Sequence, residues 1–213
     1  MEEQPVETTI YSLSERPPAL AAERREGERH LTLYRVGSIM VDDRRELCLI
    51  KNISAGGMRI RAYCSLPVGK ALSVELKSGQ PISGKVSWVN EQNLGVTFDE
   101  PIDVIEILSA SMDGPRPRMP RIEVDCHAGV REGASTYRMR ACDVSQGGIK
   151  LQASTALAKG ADVVVTLPNL PPQHGVLLWT EGGYCGITFN RLLPLPMLVG
   201  WLQEQRGGVR AAG

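Results

Sequence analysis

The chain has 213 residues, of which 42% are hydrophobic and 23% are charged, and this composition excludes an intrinsically disordered protein. Basic and acidic residues balance at 24 each, whereas a bulk nucleic-acid-binding protein would carry a basic excess. Five cysteines at irregular spacing argue against a disulfide framework or a zinc site, and no apolar run is long enough to span a bilayer. The start is acidic and polar rather than a secretory signal, so we expect a cytoplasmic protein.

The chain begins with residues 1–20, which we expect to form a flexible tail. The segment ERREGERHL follows and places Arg24, Arg25 and Arg29 ahead of the first predicted strand. A guanidinium is planar and always charged, so it can fork onto a phosphate with two hydrogen bonds and stack on a base. Because three glutamates are interleaved with these arginines, the segment taken alone also fits a solvated charged stretch.

Six short segments between residues 30 and 98 alternate apolar and polar residues, with Gly, Pro, Asn and Asp between them. A period of two predicts β-strands. Six such strands at regular spacing predict a small closed β-barrel, because closure leaves no strand edge exposed. Apolar and acidic residues then predict a short helix at 101–111.

Between two of these strands lies a polar turn with Asn52, Ser54, Gly56 and Gly57. An asparagine side chain can meet the edge of a guanine, and a serine can donate to a phosphate or fix the turn through its own backbone. The two glycines are expected to allow positive φ and a close approach of the backbone to a ligand. All four residues are therefore candidates for ligand binding.

The chain repeats itself without a gap when residue n is placed over residue n+91. Matched pairs have the same or similar residues: Asn52 and Asp143, Ser54 and Ser145, Gly57 and Gly148, Trp88 and Trp179. Chance does not keep one register over roughly 75 residues, so the sequence predicts an internal duplication.

The duplication predicts an all-β protein with two tandem six-stranded barrels, each followed by a short helix. The second helix is expected at 196–205, and Trp88 and Trp179 are expected in the barrel cores. The predicted boundaries are 21–110 for the first barrel domain, 111–120 for a proline-rich linker and 121–206 for the second barrel domain.

The spacing RxxxR, from Arg25 to Arg29, followed by NxSxxG, from Asn52 to Gly57, resembles the signature of PilZ domains. That family forms small six-stranded barrels that bind the bacterial second messenger cyclic di-GMP. The resemblance covers most of residues 22–108 and, through the duplication, most of the second copy.

The resemblance implies two sets of binding residues. The phosphate and guanine clamps would be Arg25 and Arg29, with Arg24 assisting. The guanine-facing turn would be formed by Asn52, Ser54 and Gly57. A basic residue at the position of Arg24 is associated in the family with a stacked pair of ligand molecules. The resemblance also implies that cyclic di-GMP is a ligand rather than a cofactor.

The second copy departs from this pattern in its entry run, PRPRMPR, which has no RxxxR spacing and is stiffened by prolines. Its DxSxxG turn is intact, but such a turn can be kept for its conformation alone. If its arginines act with a shift of one residue, a second site would comprise Arg116, Arg121, Asp143, Ser145 and Gly148. Otherwise the second copy is an output or docking module.

We therefore expect a cyclic di-GMP receptor rather than an enzyme, since paired carboxylates, a nucleophile elbow and a phosphate-binding loop are absent from the sequence. Ligand binding would be relayed by rearranging the two barrels or an interface with an unidentified protein partner. Neither bulk nucleic acid nor a membrane span is expected. A ligand-independent scaffold that docks onto a motor, synthase or sensor protein remains an open alternative.

Overall fold

The computed structural model describes residues 31–76, 81–109, 119–153 and 157–210. The elements of the first copy are β1 (Leu31–Val41), β2 (Arg44–Ser54), β3 (Gly57–Ala62), β4 (Ala71–Glu75), β5 (Pro81–Asn90), β6 (Asn93–Phe98) and α1 (Val104–Ser109). Those of the second copy are β7 (Ile122–Glu132), β8 (Ser135–Ser145), β9 (Gly148–Gln152), β10 (Asp162–Thr166), β11 (Gln173–Glu181), β12 (Tyr184–Phe189) and α2 (Leu195–Arg210).

The strands close into two antiparallel barrels with the same topology. Barrel 1 has the order β1-β2-β3-β6-β5-β4, and barrel 2 repeats it as β7-β8-β9-β12-β11-β10. The predicted fold class, with two six-stranded barrels that are each followed by a helix, is confirmed. The alternation of apolar and polar residues gives each strand an inner and an outer face. In β3, Met58, Ile60 and Ala62 are buried, while Arg59 and Arg61 point outward and are exposed.

The glycine doublet after each serine does not have the conformation that the sequence suggested. Neither Gly56 nor Gly57 has a positive φ. A Cβ atom on Gly57 would instead clash with the carbonyl oxygen of Val96 on β6, and one on Gly148 would clash with that of Ile187 on β12. The second glycine of each doublet is therefore required for close strand packing, whereas Gly56 faces open space.

The expected positions of the tryptophans in the barrel cores are wrong. The indole of Trp88 lies on the outer surface of barrel 1, directly over Gly95 of the neighbouring strand, and is 41% exposed. Trp179 lies over Gly186 in the same way on barrel 2 and is partly buried. In both barrels a glycine leaves a shallow space on the outside, and the indole fills it.

The two helices have different lengths and surroundings. At the start of α1, the Asp103 carboxylate accepts a hydrogen bond of 2.9 Å from the backbone N–H of Glu106, which is typical N-capping. The longer α2 packs Trp201 and Leu202 onto the core of barrel 2 and continues to Arg210, beyond the expected end at 205. Among the described residues, neither helix has the length and apolar character needed to cross a membrane.

Barrel 2 and its helix also contact barrel 1. Leu47 points outward from β2, yet it is only 3% exposed because it packs into the core cluster of barrel 2. The guanidinium of Arg206 on α2 forms an ion pair with Glu46, and the Gln203 side chain donates a 2.8 Å hydrogen bond to the Tyr63 carbonyl. The first half of β2 and the end of β3 are therefore fastened to barrel 2.

The role of Gly57 can be tested by a matched pair of substitutions. Gly57→Ala should lower the free energy of unfolding by about 1–3 kcal/mol, because the new methyl group forces β3 away from β6. Gly56→Ala should have little effect, since nothing lies within contact distance. Chemical unfolding followed by circular dichroism measures both, and equal effects of the two substitutions would contradict the packing role.

Candidate ligand-binding site

The turn motif of barrel 1 lies beside the beginning of β1. Leu31 pairs with Ile53, and Thr32 pairs with Asn52, at the end of β2. The first strand therefore begins beside the motif. Arg24, Arg25 and Arg29 themselves lie outside the described residues, as does Arg116.

Within the motif, the structure assigns different roles to the polar side chains. The Ser54 hydroxyl donates a 3.1 Å hydrogen bond to the Gly57 carbonyl, so it closes the turn between β2 and β3. Asn52 follows a β-bulge at Lys51 and lies on the outer face of the barrel, opposite Arg59. Its amide is half-buried and is available to a ligand on that face.

The outer face continues from Asn52 across the neighbouring strands. The strand register places Asn52 beside Arg59, Arg59 beside Gly95, and Gly95 beside Trp88. The guanidinium carbon of Arg59 lies 5.8 Å from the centre of the Trp88 ring, within the range of a cation–π contact. Asn52, Arg59 and Trp88 form one outward-facing row with an amide, a guanidinium and an indole, which we call the outer platform.

Two further cations lie beside the outer platform. The Lys51 ammonium donates a 2.6 Å hydrogen bond to the Asn93 side-chain oxygen, and the Arg61 guanidinium donates two hydrogen bonds to Gln92. Together with Arg59, these residues form a cationic cluster. None of the three forms an ion pair with a carboxylate of the described residues. Like charges on one face repel each other, so this surface favours an anion.

The corresponding site of barrel 2 is filled by its own side chains. The Arg121 guanidinium, directly ahead of β7, forms an ion pair with Asp143, which replaces Asn52. Glu123 pairs with Asp143 in the strand register and adds a second negative charge. The Ser145 hydroxyl donates a 3.3 Å hydrogen bond to the Gly148 carbonyl and closes the turn.

The linker also covers the turn of barrel 2. A Cβ atom on Gly147 would lie 3.1 Å from the Met119 sulfur and 3.4 Å from a methyl group of Leu192. The equivalent position in barrel 1, Gly56, has open space around it. Residues 119–121 thus run from the turn to the side chain of Asp143.

The outer faces of the two barrels differ in charge although their folds match. Where barrel 1 has Lys51 and Arg61, barrel 2 has uncharged residues. Where barrel 1 has Thr32, Tyr34 and Asn52, barrel 2 has acidic residues: Glu123, Asp125 and Asp143. Two hydrogen bonds of 2.7 and 2.9 Å from Arg140 hold the pKa of Asp125 below its ordinary value, so this carboxylate stays ionised.

The sequence interpretation missed Lys51 and Arg61 as cations beside the outer platform and Trp88 as a surface residue within it. A residue-by-residue comparison of charge between the two copies was the signal that could have found the first two. The position of Trp88 depends on the register of β5 and β6, which the sequence pattern does not give.

A groove of about 560 Å³ between the barrels is a weaker candidate site. Its cations are Arg44, Arg45, Arg121 and Arg206, and each of them forms an ion pair with a carboxylate. These charges are therefore already neutralised. In the described ranges, no cluster of His, Cys, Asp and Glu could hold a metal ion.

A family model described as the PilZ domain matches the sequence twice, over residues 23–110 and 115–195. The chain belongs to the PilZ domain family. Both matches coincide with a closed six-stranded barrel, so the duplication consists of two tandem PilZ domains. No curated protein matches the sequence.

Three solved structures match the chain at low identity and low TM-score. The Borreliella burgdorferi PlzA protein in complex with c-di-GMP is 11% identical, with 84% of this chain and 93% of that chain covered and a TM-score of 0.35. YcgR in complex with c-di-GMP from Escherichia coli is 14% identical, with 84% and 88% covered and a TM-score of 0.34. The Bacillus subtilis inhibitor of motility is 11% identical, with 81% and 95% covered and a TM-score of 0.33. The PilZ assignment rests on the family model.

The ion pair that fills the second PilZ site can be measured by a double-mutant cycle. Arg121→Ala and Asp143→Asn, singly and together, should give a coupling free energy of about 0.5–1 kcal/mol, because both side chains are partly buried. The same cycle at Arg140 and Asp125, which are largely exposed, should give a smaller coupling. Chemical unfolding measures both couplings. Additive effects of Arg121→Ala and Asp143→Asn would contradict the ion pair.

Proposed function

We propose that this protein is a cyclic di-GMP receptor and that the ligand binds on the outer face of barrel 1. The observation that carries the proposal is the pairing of Thr32 with Asn52. Because Arg24, Arg25 and Arg29 precede β1 in the sequence, a start of β1 beside the turn motif supports a site that combines the two. Membership of the PilZ family supports the choice of ligand.

Each part of the proposed site matches a part of the ligand. The phosphates of cyclic di-GMP are anionic, and Arg25 and Arg29 can each fork onto one with charge-assisted hydrogen bonds. Asn52 offers an amide to the hydrogen-bonding edge of a guanine. The Arg59–Trp88 pair offers a flat surface for stacking, and the open space around Gly56 lets a ligand approach the backbone.

Barrel 2 is not proposed as a binding site for the same ligand. Its Asp143 carboxylate already has the Arg121 guanidinium as its partner, and Met119 covers the turn. A dianionic ligand would have to break that ion pair and approach Glu123, which repels it. Both steps cost binding free energy that barrel 1 does not lose.

The connection of the site to barrel 2 provides a route for the signal. The hairpin of β2 and β3 has the ligand motif at its turn, while Glu46, Leu47 and Tyr63 near its open end contact barrel 2 and α2. Contacts of the ligand with the turn motif would act on this hairpin. The ligand shifts the arrangement of the barrels only by its difference in affinity for the two states.

Calorimetric titration tests the site with matched variants. Arg25→Ala and Arg29→Ala should each weaken cyclic di-GMP binding roughly ten- to a hundredfold, because each removes a charge-assisted fork. Asn52→Ala should also weaken it, whereas Asp143→Ala in barrel 2 should not. Wild-type affinity in both arginine variants would reject the proposed pocket.

Tryptophan fluorescence reports on the outer platform independently. Cyclic di-GMP should change the emission of the wild-type protein, because the ligand stacks beside Trp88. Trp88→Phe should abolish this change, and Trp179→Phe, the equivalent substitution in barrel 2, should preserve it. If the emission change instead disappears in Trp179→Phe and persists in Trp88→Phe, the ligand binds on barrel 2 and the proposal is contradicted.

Because the site of barrel 2 is filled by its own side chains, that domain is better suited to docking than to ligand binding. A second candidate function for the whole chain is therefore a scaffold that docks onto a partner protein without a ligand. A thermal-shift measurement separates the two functions, because a ligand that binds the native state raises its melting temperature. The receptor predicts a rise with cyclic di-GMP. An unchanged melting temperature at ligand concentrations far above micromolar would leave only the scaffold.

A further inference from the structure

The cationic cluster of barrel 1 extends beyond the proposed nucleotide site. The Lys51 side chain reaches over β3 to Asn93 on β6, which pairs with Arg61 in the strand register. Lys51 therefore brings its ammonium group into the neighbourhood of Arg59 and Arg61, which point outward from alternate positions of β3. Three positive charges share one small surface.

The partners of these three cations are all uncharged. Lys51 binds the Asn93 amide, Arg61 binds the Gln92 amide and lies over the Tyr63 ring, and Arg59 lies over the Trp88 ring. Such contacts orient the cations but do not neutralise their positive charge. The crowding of like charges costs stability, and the structure keeps it without a compensating carboxylate among the described residues.

Barrel 2 provides an internal comparison. Its equivalents of Lys51 and Arg61 are Cys142 and Gln152, so the same strands fold without these charges. The barrel architecture therefore does not require the cluster. This difference between two copies of one fold indicates that the charges of barrel 1 serve binding.

We propose that the cationic cluster is a docking surface for an acidic segment of a partner protein. The exposed Arg59, Arg61 and Trp88 are of the types that dominate protein interfaces, and the half-buried Tyr63 lies beside Arg61. A closed barrel has no free strand edge, so a partner must be recognised by side chains rather than by strand addition. Arginine matches the carboxylates of such a segment with bidentate hydrogen bonds.

The extent of the cluster favours a short acidic segment over a nucleic acid. A nucleic-acid chain requires a track of basic residues, and the net charge of this protein is zero. Arg59 is shared with the outer platform, whereas Lys51 and Arg61 lie beside it, so substitutions of Lys51 and Arg61 test the docking surface separately from cyclic di-GMP binding.

The test uses the intact protein and a fluorescein-labelled hexaglutamate peptide, followed by fluorescence anisotropy at low ionic strength. Lys51→Gln with Arg61→Gln should weaken binding roughly tenfold, because two cation–carboxylate contacts are lost. Arg131→Gln with Arg138→Gln, which removes two exposed cations of barrel 2, should leave binding unchanged. Lys51→Arg keeps the charge and should also bind as the wild type does.

Three results would overturn the proposal. The first is that hexaglutamate binds no better than hexaglutamine. The second is that the double variant of barrel 1, with the wild-type circular dichroism spectrum, binds hexaglutamate as the wild type does. The third is that oligothymidylate binds more tightly than hexaglutamate and depends on Lys51 and Arg61, which would assign the surface to nucleic acid.

Discussion

The pairing of the start of β1 with the end of β2 is the constraint on which the candidate site depends. Thr32 lies beside Asn52 because Ile50 and Ile53, each only 1% exposed, fix the register of β2 against the barrel core. A slip by one residue would turn these side chains outward and Asn52 inward. The burial of apolar residues thus holds the start of β1 beside the turn motif, and a ligand does not have to supply that free energy.

The two copies share the features that the barrel fold requires and differ in the charges of their outer faces. Both barrels keep the serine that closes the turn, the glycine that lets two strands approach, and a tryptophan over a glycine on the outside. They differ in the charges on the outer face, where barrel 1 is cationic and the carboxylates of barrel 2 are partly neutralised by their own arginines. This difference, and not the shared turn motif, favours barrel 1 over barrel 2 as the proposed binding site.

Much of the fold followed from the sequence because its causes are local. Alternation of apolar residues predicts the strands, and a fixed register over two copies predicts two barrels. The positions of Trp88 and Gly57 could not be predicted, because each depends on which residue of the adjacent strand lies opposite. The sequence showed an arginine ahead of the second copy, but it did not show that Arg121 forms an ion pair with Asp143, because the two residues meet only in the folded barrel. The arginines ahead of β1 remain a sequence prediction.

Amide chemical shifts during a titration with cyclic di-GMP show which barrel binds the nucleotide. Binding on the outer face of barrel 1 should shift the resonances of residues 52–59 and of the surroundings of Trp88, while residues 143–150 keep their positions. Shifts centred on residues 143–150, with residues 52–59 unchanged, would contradict it.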